Sequence, residues 1–294
     1  MLAIVGGLGA ALAFATVTLC NSRSSRMIGP AQLLAWVMLI GLAITGPLAL
    51  AGGTPDGLDA KSVGWMAVAG VGNVVGLLLA YSALRVGKVS VVAPLVSTQG
   101  AIAALIAIIA GEALGADVAT LLVVIAIGIV LAALGGASGE EPPGPRAARG
   151  TVALTSEQAH AIAYAVGAAV AIGWSLYAIG RVAVELPVVW ALLPSRLIGV
   201  LAVTLPVAAR WGLRMTRPAL PLVVAAGGLE VAGFALFAFG ARHGIAVSAV
   251  LSSQFAAIAG VAAYVLFGER LSSLQLAGVV VIVAGVGTLS GVQA

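Results

Sequence analysis

Charged residues are scarce in this chain of 294 residues, where 14 Lys and Arg and 10 Asp and Glu together make up 8% of the sequence. A soluble globular protein carries about a quarter, so these charges are too few to cover a surface in water. The single cysteine, Cys20, excludes an intrachain disulfide and a cysteine-bound metal cluster, and two histidines are too few for a histidine-based metal site. The basic residues form no stripe that would follow a phosphate backbone. We therefore expect no cofactor, no metal and no nucleic-acid partner.

Hydrophobic residues dominate what remains, at 62% of the chain, together with 39 glycines. A transmembrane helix needs roughly 20 apolar residues, and the sequence contains ten such runs. They cover residues 2–20, 31–51, 63–84, 89–110, 118–136, 159–180, 187–209, 219–241, 245–267 and 274–292. The breaks between them hold turn residues and charges, the first of them from Asn21 to Gly29. The first run lacks the charged leader of a signal peptide. The predicted fold is an all-α integral membrane protein.

A polar stretch divides the ten runs into five and five. Rich in Pro and Gly, it is typical of a linker, so the predicted domains are 1–136, a linker over 137–157, and 158–294. The two five-helix halves match at an offset of 157 residues, at small and charged positions. The pairs are Gly76 and Gly233, Arg85 and Arg242, Gly87 and Gly244, Gly111 and Gly268, Glu112 and Glu269, Leu114 and Leu271, and Gly128 and Gly285. Because each half has an odd number of spans, the copies insert in opposite directions. Such an inverted repeat is typical of transporters.

Lys and Arg are unevenly distributed among the predicted loops. The loops after odd-numbered spans hold ten of them and the loops after even-numbered spans hold three. Cytoplasmic loops carry the excess of Lys and Arg. We therefore expect a multi-pass protein of the plasma (cytoplasmic, or cell inner) membrane with the odd loops in the cytoplasm and both termini outside it.

The segments from Tyr81 to Leu114 and from Phe239 to Leu289 share three features. Each has a small-residue turn before the fourth span of its half and a Gly-Glu pair that closes the span, and a Gly-rich final helix follows that pair, here with Gln275 and Gly278. Both segments resemble the EamA repeat of the drug/metabolite transporter (DMT) superfamily. The resemblance implies ten helices in an inverted five-helix repeat, and secondary transport or export of small metabolites. One departure is that the Arg often seen in the second helix of each half occurs only as Arg196, with Trp36 as its approximate counterpart.

Two charged residues fall near the middle of predicted spans, where a charge costs about 2.5–3.5 kcal/mol on insertion scales. They are Arg196 in span 7 and Glu230 in span 8. One interpretation is a structural ion pair between neighbouring helices. The other is that Glu230 faces a cavity, where it binds a cationic or amino group or carries a coupling proton. Its repeat partner is Asn73, so both halves present a hydrogen-bonding group at the same depth.

Polar side chains also cluster in spans 4 and 9, as Ser97, Thr98 and Gln99 and as Ser252, Ser253 and Gln254. Pro94, whose repeat partner is Leu251, precedes the first cluster by one turn and frees a backbone carbonyl, a break that can line a cavity. The alternative is that these residues join helices, for which hydroxyls and small residues are common.

Aromatic residues and the closing glutamates have similar pairs of interpretations. Trp174 and Tyr177 share a helix face that can stack on a planar or cationic substrate, and Tyr81 is another deep aromatic, with core packing as the alternative. Trp65 lies near a span end, where interfacial anchoring is expected. Glu112 and its partner Glu269 are expected to cap helices or pair with loop cations, a gate being the alternative.

These features predict a secondary transporter, an exporter or exchanger of a small polar metabolite such as an amino acid or amine, that works by alternating access. Its partners are the substrate and the lipid bilayer, with protons as a coupling ion, and a monomer is sufficient. There is no GxxxxGK[ST] phosphate loop. A membrane-embedded enzyme and a non-transporting scaffold or sensor are the alternatives. The candidate substrate-binding residues are Asn73, Tyr81, Ser97, Gln99, Trp174, Tyr177, Arg196, Glu230, Ser253 and Gln254.

Overall fold

The structure is a computed structural model that describes residues 1–86, 92, 95–137, 156–267 and 273–292. Every regular element within these ranges is a helix. The first half contains α1 (Leu2–Ile28), α2 (Pro30–Gly52), α3 (Ala60–Val86), α4 (Gln99–Ile109) and α5 (Ala116–Ala137). The second half contains α6 (Ser156–Glu185), α7 (Val188–Trp211), α8 (Leu220–Ala241), α9 (Ile245–Ser252), α10 (Phe255–Phe267) and α11 (Ser273–Val292). Most of the predicted linker lies outside the described residues.

Six of the described helices are long and apolar enough to cross a membrane, namely α1, α2, α3, α6, α7 and α8. Four shorter apolar segments accompany them, over Leu95–Ile109, Ala116–Leu131, Ile245–Ala259 and Leu276–Val286. Each of the ten predicted runs therefore contains helix. The protein is an α-helical, multi-pass membrane protein.

Helix α1 is longer than the sequence predicted, and the expected break from Asn21 to Gly29 is wrong. The helix continues to Ile28 because its polar residues are compatible with helix outside the hydrocarbon; the Ser24 hydroxyl, for example, donates to the Cys20 carbonyl at 2.8 Å. The real turn is Gly29, with φ of +85°, and Pro30 then starts α2. A positive φ favours glycine, and proline suits the first position of a helix.

Two other spans depart from regular helix. Helix α7 contains a π-helical turn over Val200–Thr204, directly before Pro206, whose missing N–H interrupts the α-helical ladder. The predicted run 245–267 is divided into α9 and α10 by a turn at Ser253 and Gln254. Hydroxyl groups next to that turn bond backward to the chain, since Ser252 and Ser253 both donate to the Ala249 carbonyl.

Helices from the two halves interdigitate. The most extensive packing is between α3 and α6, between α1 and α8, and between α5 and α11. Further contacts join α1 to α9, α4 to α6, α2 to α8, α3 to α7, α2 to α7 and α4 to α9. Three of these interfaces, α2 with α7, α4 with α9 and α5 with α11, join equivalent spans of the two halves. The other six join non-equivalent spans, so the bundle is a single packed unit.

Glycines at repeat-matched positions lie at these interfaces. A Cβ at Gly128 would lie 3.0 Å from Ile282 Cγ1, and a Cβ at Gly285 would lie 2.7 Å from Ile125 Cγ1. On α3, a Cβ at Gly76 would collide with Ile172 of α6. Small residues allow helices to approach closely in membranes, so these positions set the distances between α5 and α11 and between α3 and α6.

The two ends of the bundle are fixed by loop contacts. At what we call the Arg214 end, the Gln32 side chain donates to the Gly212 carbonyl at 2.8 Å and accepts from the Arg214 N–H at 3.0 Å. At the opposite, Glu112 end, the Arg242 guanidinium donates to the Leu186 carbonyl at 2.8 Å. Loops after spans 1 and 7 thus share one end, and loops after spans 6 and 8 share the other.

Candidate functional site

A buried ion pair lies near the middle of the bundle. Arg196 of α7 is fully buried, and its Nη1 donates to Glu230 Oε1 of α8 at 3.0 Å. The guanidinium also lies over the Phe234 ring, at 5.5 Å from the centroid, and Nη1 is 3.8 Å from Met38 Sδ. A Cβ at Gly41 of α2 would lie 3.0 Å from Arg196 Nε, so this glycine makes room for the arginine.

The ion pair gives one of the three guanidinium nitrogens, Nη1, a carboxylate partner. Arg196 Nε and Nη2 are buried and make no hydrogen bond within the described residues. Glu230 is the nearest compensating charge, because the ion pair is direct. The structure therefore brings Arg196 and Glu230 together as an ion pair. The edge of the guanidinium that carries Nε and Nη2 has no hydrogen-bond partner among the described residues.

Asn73 is buried on α3, near the packing of that helix against α6. Its Nδ2 has no hydrogen-bond partner in the described part of the chain. One turn earlier, the Ser175 hydroxyl of α6 donates to the Ala69 carbonyl of α3 at 2.7 Å. Asn73 therefore stands at a polar stretch of the interface between α3 and α6, and no described hydrogen bond joins it to Arg196 or Glu230.

The two predicted polar clusters adopt the same backbone turn. Thr98 has φ and ψ of −72° and −6°, and Ser253 has −73° and −5°. Thr98 donates from its hydroxyl to the Leu95 carbonyl at 2.7 Å, and Gly100 of α4 lies directly against Ser253. The structure thus brings the clusters together, with both helical segments interrupted where they cross.

Side chains in these clusters are mostly buried. Ser97, Ser253 and Gln254 are buried, whereas Gln99 is half-buried. Gln254 Nε2 has no partner among the described residues. A discontinuous helix in a membrane requires other groups for its freed backbone atoms; the hydroxyls here add a second bond to the Leu95 and Ala249 carbonyls, which already accept from a backbone N–H.

The predicted aromatic pair forms an edge-to-face group with a third ring. The Trp174 and Tyr177 rings are 6.3 Å apart, and the Trp65 and Tyr177 rings are 5.5 Å apart. Tyr177 is buried, while 43% of Trp174 is exposed. Trp65 is half-buried against Tyr177, so it takes part in core packing as well as lying near a helix end. The side chain of Tyr81 lies outside the described residues.

A cavity of about 530 Å³ opens at the Glu112 end, between α4, α5, α6 and the junction of α8 with α9. Its polar lining includes Glu112, Arg181 and His243, and Tyr177 lies in its wall. The Glu112 carboxylate accepts from the Ala246 N–H, at 3.2 Å from each oxygen. Burial raises the pKa of Glu112 above its ordinary value, against the opposing effect of backbone hydrogen bonds. The predicted cap is confirmed, and it joins the first half to the start of α9.

Residues 1–134 match the EamA-like transporter family. This stretch is therefore similar to an EamA domain of the DMT superfamily. The match covers the predicted first repeat, and it confirms the resemblance that the motifs around Tyr81 to Leu114 indicate. The first half of the chain is thus similar to a family of transporters.

The fold of the whole chain has a counterpart among solved structures. One, described as "Crystal structure of protein", superimposes with a TM-score of 0.74 at 21% sequence identity, and the match covers 99% of this chain and 96% of that chain. At this identity the likeness shows the fold alone. Comparison with curated proteins gives no match.

Sequence reasoning missed the cavity beside Glu112. It predicted Glu112 as a helix cap or a partner of loop cations. The sequence does not indicate that Tyr177 of α6 and His243, between α8 and α9, line the same space. The available signal was the repeat itself, since Gly-Glu closes the fourth span in both halves. Glu269, the second member of that pair, lies outside the described residues.

Proposed function

We propose that the protein is a secondary transporter that moves a small polar metabolite across the membrane by alternating access. In this proposal ten spans form two inverted five-helix halves, 1–136 and 158–294, joined by the linker 137–157. The observation that carries it is the exchange symmetry of the helix packing.

The symmetry is found by exchanging each helix with its counterpart in the other half. Exchange of α1 with α6 and of α3 with α8 converts the α1–α8 interface into the α6–α3 interface, and these are two of the most extensive in the bundle. The same operation converts α1–α9 into α6–α4 and α2–α8 into α7–α3. The α2–α7, α4–α9 and α5–α11 interfaces convert into themselves, which is expected of helices that lie beside a two-fold axis.

Contacts between single residues obey the same exchange. Gly128 packs against Ile282, and Gly285 packs against Ile125. Both glycines and both isoleucines are separated by the repeat offset of 157 residues. This reciprocity supports a repeat that is structural as well as sequential.

Exchange symmetry favours a carrier because two similar, oppositely oriented halves can exchange conformations. A cavity that opens at the Glu112 end in one state then has a counterpart at the Arg214 end in the other. The substrate would be held between these positions, near the polar turns of Thr98 and Ser253 and the Arg196–Glu230 pair. Movement would be driven by a substrate or proton gradient.

We propose the topology that the loop charges predict, with the Arg214 end in the cytoplasm and both termini outside. The Gln32 contacts support the shared location of loops 1 and 7, which hold five of the ten arginines and lysines in the odd loops. Alkaline phosphatase fused at the C-terminus is expected to be active, and an inactive fusion of normal abundance would contradict this orientation.

Flux through the purified protein in proteoliposomes tests the function. Vesicles preloaded with single metabolites from a panel of amino acids, amines and carboxylates are assayed for counterflow of the labelled compound, with protein-free vesicles as the control. Saturable counterflow of at least one compound is expected, because a carrier exchanges substrate without net energy input. A scaffold or sensor would give none, and an enzyme would return a chemically altered compound.

A further inference from the structure

We infer that the substrate carries an oxyanion, such as a carboxylate, and that Arg196 binds it through Nε and Nη2. The inference rests on the proposed transport function and names the chemical class of the substrate. It follows from the chemical identity of the buried polar atoms that lack a hydrogen-bond partner among the described residues.

Four of the five unpartnered buried side-chain atoms among the described residues are hydrogen-bond donors. They are Asn73 Nδ2, Arg196 Nε, Arg196 Nη2 and Gln254 Nε2. The unpartnered acceptor that accompanies them, Asn21 Oδ1, lies in the last part of α1 near the Arg214 end. Buried polar groups normally have partners. An interior with spare donors is therefore complementary to a ligand that brings acceptor oxygens.

Arg196 provides the most specific of these donors. Nε and Nη2 form one edge of the planar guanidinium, with two parallel N–H bonds, and this fork matches the two oxygens of a carboxylate. Glu230 accepts from Nη1, and no described residue accepts from the edge that carries Nε and Nη2. Because Arg196 is fully buried, water does not supply the missing acceptors from an open surface.

Gly41 of α2 packs against the Cδ and Nε atoms of Arg196. A Cβ there would lie 2.7 Å from Arg196 Cδ and 3.0 Å from Nε. An alanine would therefore crowd the Cδ and Nε atoms and displace the Nε donor. Gly46 on the same helix is the matched control, because the nearest atom to its Cβ is a flexible Leu42 methyl at 3.9 Å.

Charge balance adds a second requirement. Arg196 and Glu230 together are neutral, so a bound monocarboxylate leaves one net negative charge in a low-dielectric interior. A zwitterion avoids this, because its ammonium group can approach the Glu230 carboxylate while its carboxylate binds the guanidinium edge. Both substrate types share the oxyanion, and an amine that lacks one has no group for the Arg196 edge.

Three probes of matched carbon skeleton test the inference: leucine, 4-methylpentanoate and 3-methylbutylamine, each as a competitor of the labelled substrate found by counterflow. Competition by leucine or 4-methylpentanoate but not by 3-methylbutylamine is expected. Leucine alone identifies the zwitterion, and 4-methylpentanoate alone or with it identifies the carboxylate as sufficient. Competition by 3-methylbutylamine equal to that of the other two overturns the inference.

Variants locate the oxyanion on Arg196. Arg196→Lys keeps a positive charge beside Glu230 but has no planar edge, and we expect its apparent affinity for the oxyanion substrate to fall about tenfold or more. Gly41→Ala is expected to weaken binding in the same direction and Gly46→Ala to leave it unchanged. If Arg196→Lys fails to fold, the comparison of the two glycine variants decides. Equal affinity in Gly41→Ala and Gly46→Ala overturns the assignment while transport stands, whereas absence of counterflow for every compound refutes the transport function itself.

Discussion

Removal of the Glu230 charge is expected to destabilise the protein severely. The pair distance of 3.0 Å corresponds to an attraction of about 5–6 kcal/mol at an effective dielectric constant of about 20. In Glu230→Gln the amide can still accept from Nη1, but the buried guanidinium has lost its counter-charge. Breaking a buried pair in this way typically costs about 3–5 kcal/mol. At about 2–4 °C per kcal/mol for a protein of this size class, the melting temperature should fall by about 6–20 °C.

An exposed pair in the same protein provides the control. Arg181 and Glu185 lie 3.6 Å apart near the end of α6, with side chains that are 34% and 41% exposed. Solvent screens such a pair, which contributes about 0–1 kcal/mol. Glu185→Gln is therefore expected to change the melting temperature by less than about 4 °C. Both variants are purified in the same detergent and compared by loss of the monodisperse chromatographic peak on heating.

A double variant separates charge from packing. Replacement of both partners by apolar residues, Arg196→Met with Glu230→Leu, removes the uncompensated charge, and such replacements are often neutral or stabilising by about 1–4 kcal/mol. We expect it to recover most of the stability that Glu230→Gln loses. Equal melting temperatures for Glu230→Gln and Glu185→Gln, or a double variant as unstable as the single one, would refute the reasoning from buried charge.

Two further predictions concern helix packing and the cap at the Glu112 end. Gly76→Ala should lower the melting temperature because its Cβ collides with Ile172, whereas Gly64→Ala on the same helix, with open space around it, should leave it unchanged or raise it. Since burial raises the pKa of Glu112, its docked form binds a proton more tightly than a free glutamate. The contribution of the buried Glu112 carboxyl to stability is therefore present at low pH, where the group is neutral, and is lost as pH rises through the raised pKa. Melting curves against pH should show this loss, and Glu112→Gln should abolish it.

Sequence reasoning predicted the membrane class and the helical fold because these depend on composition averaged over many residues. Ten apolar runs and a repeat offset are properties of whole segments, and single errors do not change them. Element ends depend on individual residues instead. The end of α1 was misplaced because Ser24 and its polar neighbours are unfavourable in hydrocarbon but acceptable in a helix that extends beyond it.

The candidate site was predictable in kind but not in arrangement. Two opposite charges at mid-membrane suggested a pair, because isolated charges are costly there, yet the sequence left open whether Arg196 and Glu230 would meet. The contact depends on how α7 and α8 are rotated, and Gly41 on a third helix makes the space for it. Hydropathy contains no information about such rotations. For the same reason, hydropathy did not predict the turn at Ser253 or the contacts of the Trp65, Trp174 and Tyr177 rings.

The two halves are joined by hydrogen bonds and by apolar packing, and the balance between these two kinds of contact differs from one helix interface to another. Near the Arg214 end, α2 is bonded to α7 and the segment after it: Thr204 donates to the Ala35 carbonyl at 2.9 Å, and Trp36 donates to the Arg214 carbonyl at 3.1 Å. Packing of α5 on α11 instead brings glycines against isoleucines, with no preferred direction along the helix surface, and packing of α3 on α6 combines such a contact at Gly76 with the hydrogen bond from Ser175 to Ala69. Directional bonds resist sliding and apolar contacts permit small shear movements. In the proposed exchange between two states, the α2–α7 contact would therefore be the pivot. The hydrogen bond between Glu112 and the start of α9 would be a polar link that must break and form again.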